Sequence, residues 1–317
     1  MEADRLLVPG VFRWRQKTVF CHDFLRKFPK DYDTVVMIGA AICPVGNARE
    51  SRWPGRLQQK CTKKEDKKSV LLGAVIGDIA GSRFEFRNYK KKTGYHLMTG
   101  KCFFTDDSVM LIAVAKAMME SAPSFFNLAE NAVSDMQQLG RRYPDAGYGE
   151  KFYEWIFSDS PKSYGSYGNG AAMRVGGCGQ AARSLSEAKR FSKAVTEITH
   201  SHPEAIKGAE ATTVAVYLAN EGESLREIRK VIETEYYSLD FTLDSIRKKY
   251  RFDVSCQGSV LQALEAFFES VDFEDAIRNA ISIGGDSDTI AAICGSIAGA
   301  YYGIPQELEE QTLTYQI

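Results

Sequence analysis

With 317 residues the chain can hold one large domain or two, and its 44% hydrophobic and 26% charged content is ordinary for a globular protein. Lys and Arg number 40 against 41 Asp and Glu, and the resulting net charge of -1 gives no global electrostatic drive toward nucleic acid or an anionic membrane. The 7 cysteines form no CxxC pair and the 4 histidines are too sparse for a zinc framework, so neither a disulfide scaffold nor zinc organises this chain.

A reducing compartment follows from that cysteine usage, and Met1-Glu2-Ala3-Asp4 has no apolar core of the kind a signal peptide needs. A cytoplasmic protein is therefore expected. The apolar run from Val35 to Cys43 is too short to span a membrane; it reads as a buried strand. Residues 1–68 are expected to be an extension, possessed of its own α/β texture, that ends in the charged run from Lys60 to Lys68. Phe12, Trp14 and the arginines between them would suit RNA, but the commoner reading is a fragment of a neighbouring fold.

From Ser69 onward the periodicity is helical, and no strand is expected. Val70 to Asp78 carries apolar residues at helical spacing, with Ser69 as its cap. Gly73, Gly77 and Gly81 recur along one face, which invites close approach by another helix or a ligand. Asp106 to Met119 is a second apolar helix. Asn127 and Ser224 each precede an acid by three residues, the pattern of a capping box. Pro203 opens a helix through Tyr217, and Pro305 starts a last short one. Breaks are expected near Pro144, near Pro161 and in the glycine-rich residues 165–177. The sum is a single all-α domain over 69–317, a bundle of about ten helices.

Four polar constellations fall at helix starts or loops. Thr105-Asp106-Asp107 precedes the second helix. Thr105 is a good N-cap and one acid suits the dipole, but two adjacent acids exceed what capping requires. Gly284-Gly285-Asp286-Ser287-Asp288-Thr289 is a glycine turn opening a small-residue helix, capped by Ser287 or Thr289. Were these two acidic turns to meet, four carboxylates would repel one another unless divalent cations lay between them, and the count fits two. Glu85 follows the glycine-faced helix and reads either as a general acid or base or as a surface acid. Ser166-Tyr167-Gly168-Asn169-Gly170 suits phosphate through backbone amides and a following helix, without being a Walker loop. His200 and His202, before Pro203, read equally as metal-binding or substrate-polarising groups and as loop or capping residues.

Taken in order, Gly73 to Asp78, Thr105 to Ser108, Gly168 to Arg174, Thr199 to Pro203 and Gly284 to Thr289 resemble the ADP-ribosylglycohydrolases, a family that includes the dinitrogenase reductase-activating glycohydrolases. The resemblance implies an orthogonal all-α bundle with two Mg2+ ions, or Mn2+ in their place, in a cleft. It implies Thr105, Asp106, Asp107, Asp286, Asp288 and Thr289 as metal ligands, with Asp106, Asp107, Asp286 and Glu85 in the catalytic group. It assigns ADP-ribose contacts to Ser166, Tyr167, Gly168, Asn169, Gly170 and His200.

The reaction so implied is Mg-dependent hydrolysis of the N- or O-glycosidic bond between ADP-ribose and an acceptor. The partner would be an ADP-ribosylated protein or small molecule, with nucleic acid entering only as a modified substrate, and the chain is expected to act as a monomer. Two rival readings are a catalytically silent, crystallin-like binding protein of the same fold and a two-metal nucleotide phosphohydrolase.

Overall fold

A long helix that is apolar nearly all round needs neighbours on every side, and two such helices form the centre of this molecule. The computed structural model describes residues 69–315; the strand expected at 35–43, the linker at 60–68 and the rest of the extension lie outside the described residues. The first central helix, α1 (Val70–Ser82), is buried along its entire length. Its partner α12 (Ser287–Tyr301) is buried from Ser287 through Ala300. Neither has a polar face, because α1 packs on α12 and the pair is enclosed by the other helices.

The backbones of α1 and α12 touch. A Cβ on Gly73 would lie 2.3 Å from the Gly295 carbonyl oxygen, one on Gly77 2.0 Å from that of Ala291, and one on Gly81 2.4 Å from that of Ser287. The four-residue glycine recurrence in the sequence is thus a helix contact, and Gly295 and Gly299 answer it from the other side. This packing fixes Asp78, near the end of α1, beside the start of α12.

Around the pair stand α2 (Asp106–Ser121) against α1 and α3 (Leu128–Arg142), followed by α4 (Glu150–Phe157), α5 (Gly176–Ala181) and α6 (Leu185–Thr196). Helix α7 (Pro203–Glu221) contacts α5, α6 and α12; α8 (Leu225–Glu235), α9 (Leu243–Arg247), α10 (Cys256–Phe268), α11 (Phe273–Ser282) and α13 (Gln306–Thr312) complete the set. Among the described residues there is no strand, only an isolated antiparallel bridge between Gly168 and Ser255. Among the described residues no helix is long and apolar enough to cross a membrane.

Several local readings change. The sequence suggests about ten helices, and the described residues contain thirteen. Apart from the 12-residue α6 the additional ones are short; α5 carries three glycines in six residues, and a Cβ on Gly179 would lie 2.5 Å from the Thr213 carbonyl oxygen. Ser69 makes no side-chain cap; its backbone N–H donates to the Gly299 carbonyl at 3.2 Å. Asn127 likewise makes no side-chain cap, whereas the Ser224 hydroxyl accepts from Glu227 N–H at 3.2 Å. The glycine-rich loop leads into a single 3-10 turn (Asn169–Ala171) rather than an α-helix.

Candidate active site

The turn from Ile283 to Asp286 reverses the chain through two consecutive left-handed glycines, Gly284 at φ 70° and Gly285 at φ 78°. A side chain at either position would strike Asn88 or Tyr250. Asn88 grips the turn, its Oδ1 accepting from Gly285 N–H at 2.9 Å. The helix that follows is not capped in the expected way. Asp286 is the N-cap residue without a capping hydrogen bond, the Ser287 hydroxyl donates to the Gly81 carbonyl at 3.1 Å, and the Thr289 hydroxyl donates to Asp107 Oδ2 at 2.9 Å. The residues available for capping are turned toward α1 and α2 instead, and that carries Asp286 and Asp288 into the centre.

The other acidic turn is held by a residue to which the sequence reading gave no role. Asp78 is fully buried and accepts four hydrogen bonds: Thr105 N–H at 2.9 Å, Thr105 O–H at 2.7 Å, Ser108 N–H at 3.1 Å and the Ser108 hydroxyl at short range. One carboxylate thereby fixes the whole start of α2, and Thr105 still accepts from Asp107 N–H as its N-cap. The signal in the sequence was an acid ending an otherwise apolar, buried helix.

The two turns meet. Carboxylate oxygens of Asp78, Asp107 and Asp288 lie within 4.8 Å of one another, and so do those of Glu85, Asp286 and Asp288. Asp106 stands beside this cluster, less buried, facing the loop at Ala146 and Gly147, and its N–H donates to the Ala146 carbonyl at 2.8 Å. Burial, then the neighbouring charges of Asp78 and Asp286, push Asp106 up to about 8. Glu85 is pushed up to about 7 by burial and by Asp286 and Asp78. Asp107 and Asp288 are held well above the usual carboxylate range, again by burial first and neighbouring acids second.

So many carboxylates in one buried volume are unfavourable unless protons or cations neutralise them. Two observations fit cations. Asp107 Oδ1 and Asp288 Oδ1 are buried without a hydrogen-bond partner, and every side chain of the cluster offers oxygen, the donor that hard divalent ions take.

The wall opposite is the glycine-rich loop. It pairs with residues 254–256, Asn169 N–H donating to the Val254 carbonyl at 2.7 Å and Cys256 N–H to that of Tyr167 at 3.0 Å. Ser166 Oγ accepts from Gly168 N–H at 3.1 Å, and Tyr167 projects outward, 56% exposed. Asn169, expected as a ligand contact, commits its side-chain amide to Asp286 Oδ2 at 2.7 Å and Ser259 Oγ at 2.9 Å. It joins the loop to the acids.

His200 and His202 part company. His202 is the N-cap of α7, its Nδ1 accepting from Glu204 N–H at 3.2 Å. His200 is buried, and Cβ positions on Gly168 and Gly170 would lie 3.6 and 3.4 Å from its Nε2. Behind it the buried Arg174 donates to Thr199 Oγ1 at 2.7 Å, and that hydroxyl lies 2.7 Å from His200 Nδ1. Among the described residues Nδ1 is the acceptor within reach of the Thr199 hydroxyl proton, and assigning the proton there leaves Nε2–H as a donor toward the loop. Burial and the Arg174 charge hold His200 well below its usual range, so it is neutral. This relay was not foreseen from sequence.

Together these walls enclose a cleft of about 610 Å³, into which Glu85, the acidic turns, Ser166, Gly168, Asn169, Gly170 and His200 face, with Gly147 and Gly149 to Phe152 along one rim; Tyr167, expected as a ligand contact, is not part of its lining.

Comparison with known proteins agrees with the resemblance. The model of the family described as ADP-ribosylglycohydrolase matches residues 62–315, beginning inside the stretch assigned above to the extension. ADP-ribosylhydrolase ARH3 of Homo sapiens is 26% identical over 314 residues, covering 75% of this chain and 86% of its own. The ADP-ribosylarginine hydrolase Tri1 of Pseudomonas putida (strain GB-1) is 25% identical, covering 83% of this chain and 78% of its own. A solved structure titled "ADP-ribosylglycohydrolase-related protein complex" shares the fold at a TM-score of 0.53 and 23% identity, covering 77% of this chain and 94% of that one.

Proposed function

The chain belongs to the ADP-ribosylglycohydrolase family, hydrolases acting on glycosyl bonds, and from that premise we propose that it hydrolyses the N- or O-glycosidic bond joining ADP-ribose to an acceptor in an Mg2+-dependent reaction. The observation that carries this reading is the convergence of acids from α1, α2 and α12 opposite the glycine-rich loop in one cleft.

Asp107, Asp286 and Asp288, with Thr105, Asp106 and Thr289, would hold two Mg2+ ions, or Mn2+ in their place. When bound, such ions supply Lewis-acid charge that aligns the distal ribose and acidifies the attacking water. The protein's own contribution is positional and electrostatic. Ser166, Gly168 and Gly170 would line the anionic end of ADP-ribose, Tyr167 reaching it only from outside the cleft lining, and the neutral His200 would donate from Nε2 there. Asn169 acts through Asp286 by fixing the orientation of its carboxylate. Asp78 acts through Thr105 and Ser108.

Water attacks the anomeric carbon as the bond to the acceptor breaks, and the positive charge that develops on the ribose is stabilised by the surrounding carboxylates. Glu85, which faces the cleft within reach of Asp286 and Asp288, would accept the water's proton, while the departing acceptor atom takes up a proton in exchange. Residues 69–317 form the catalytic domain, acting as a monomer. A reducing cytoplasm suits the buried free thiols of Cys102, Cys178, Cys256 and Cys294.

Incubation of the purified chain and Mg2+ with arginine-, serine- and base-linked ADP-ribose tests the reading. Free ADP-ribose from at least one linkage is the expected product. AMP with ribose phosphate would mean a phosphohydrolase, and tight ADP-ribose binding without release from any linkage a silent member of the family.

A further inference from the structure

The overall charge conceals a concentrated basic rim on the cleft. Residues 83–92 hold five cationic side chains against the single acid Glu85, and Arg247-Lys248-Lys249-Tyr250-Arg251 holds four in five positions. These segments lie far apart in sequence and side by side in the fold. Lys90 Nζ donates to the carbonyls of Arg247 at 2.8 Å and Tyr250 at 2.7 Å, clipping one onto the other. Burial and the adjacent Arg251 charge both lower the Lys90 ammonium's affinity for its proton, a sign of how closely the cations are packed.

Arg87, Lys91, Lys248, Lys249 and Arg251 are exposed, and among the described residues none forms an ion pair. Arg251 donates only to backbone carbonyls, which leave its charge unneutralised. Two acids nearby are paired with other cations, Asp244 with Arg247 and Asp275 with Lys92; among the described residues Asp253 accepts only from Ser255 N–H and is left to set against these charges. Between the segments, at the cleft mouth, the rings of Phe86 (82% exposed) and Phe252 (48% exposed) stack with centroids 6.0 Å apart and planes at 27°. Phe86 directly follows Glu85, and both phenylalanines line the cleft.

An apolar ring so exposed costs solvation energy, and the surrounding cations repel one another. Aromatic faces interleaved with unpaired cations are what a strand of unstacked bases and phosphates requires; a duplex offers no free base faces, and an acidic peptide would leave the rings unused. We propose that this rim docks a single-stranded nucleic acid, with phosphates on Arg87, Lys91, Lys248, Lys249 and Arg251 and bases against Phe86 and Phe252. The surface adjoins the cleft at Phe86 and Phe252, and binding to it is measured without turnover.

Fluorescence anisotropy of the full-length chain decides it, using labelled single-stranded DNA and RNA of about 12 nucleotides, the corresponding duplex and an acidic peptide of equal length. The single strands bind several-fold more tightly than duplex or peptide, and affinity falls steeply between about 50 and 200 mM salt. Phe86→Ala with Phe252→Ala weakens binding at least about five-fold without changing the salt slope. Arg87→Glu with Lys249→Glu flattens that slope by about 1.4, the loss of two phosphate contacts on a single strand. Should the aromatic pair misfold by circular dichroism, the charge pair alone decides. Absence of binding at low salt overturns the proposal. So does equal binding by every variant, which would put the contact elsewhere, or binding of duplex or peptide as tight as that of the strand.

Discussion

Asp107 and Asp288 each bury one carboxylate oxygen that no protein group satisfies, so an amide in its place would keep the shape and remove the charge. Asp107→Asn and Asp288→Asn are each expected to lower release of ADP-ribose by about 100-fold or more and to abolish the rise in melting temperature on adding Mg2+. Loss of activity with an intact Mg2+ shift would assign the residue to the chemistry alone. The raised acids also give a pH signature. Unfolded, Glu85 and Asp106 lose their protons near the ordinary carboxylate values; folded without cations, they keep them up to about 7 and about 8. The native state then binds more protons than the unfolded state, so the metal-free protein loses stability as pH rises from about 5 to about 8. Saturating Mg2+ replaces those protons, and its stabilisation is expected to be larger at pH 8 than at pH 5.5. Differential scanning fluorimetry across that window checks both slopes, and Glu85→Gln with Asp106→Asn should flatten the metal-free one. Of these residues, the acids of the two turns were legible from sequence because two adjacent acids exceed what a cap needs. The supporting partners were not: Asn88, Asn169 and the Arg174–Thr199 pair are ordinary polar residues whose meaning comes only from contacts nearly 25 to 200 positions away in the chain.

At the level of elements, the α1–α12 contact determines whether the site exists, because Asp78 leaves one helix where Asp286 and Asp288 enter the other. Gly77→Ala would place a methyl 2.0 Å from the Ala291 carbonyl, an overlap that only separation of the helices relieves. A cost of about 3 kcal/mol or more is expected, with loss of turnover, by urea denaturation and product assay. Gly100→Ala is the control, since no atom lies within 4 Å of its Cβ position. Gly285→Ala combines a φ of 78° with a clash against the Tyr250 ring, and should be at least as damaging to activity. The long helices and the glycine face were readable because periodicity persists over several turns. Helices α4, α5 and α9 were not, since five to eight residues give too few repeats, and α5 forms against its glycine content; the 12-residue α6 also went unread, although Ser184 caps it and its length is sufficient.

For the molecule as a whole, the all-α class followed from pattern, but the meeting of Asp107 with Thr289 across 182 positions did not. No local periodicity encodes a contact of that range; only the ordered set of motifs, through resemblance, implied it. The neutral net charge was similarly blind to the basic rim, because a sum over the chain erases where charges collect. The account stands on the two acidic helix starts forming one ion-binding centre, and direct counting of bound Mn2+ by electron paramagnetic resonance at pH 7.5 is the closest test. Two ions per chain are predicted, with one or none in Asp288→Asn and in Asp107→Asn. Absence of Mn2+ binding, or a stoichiometry that neither substitution changes, would contradict it.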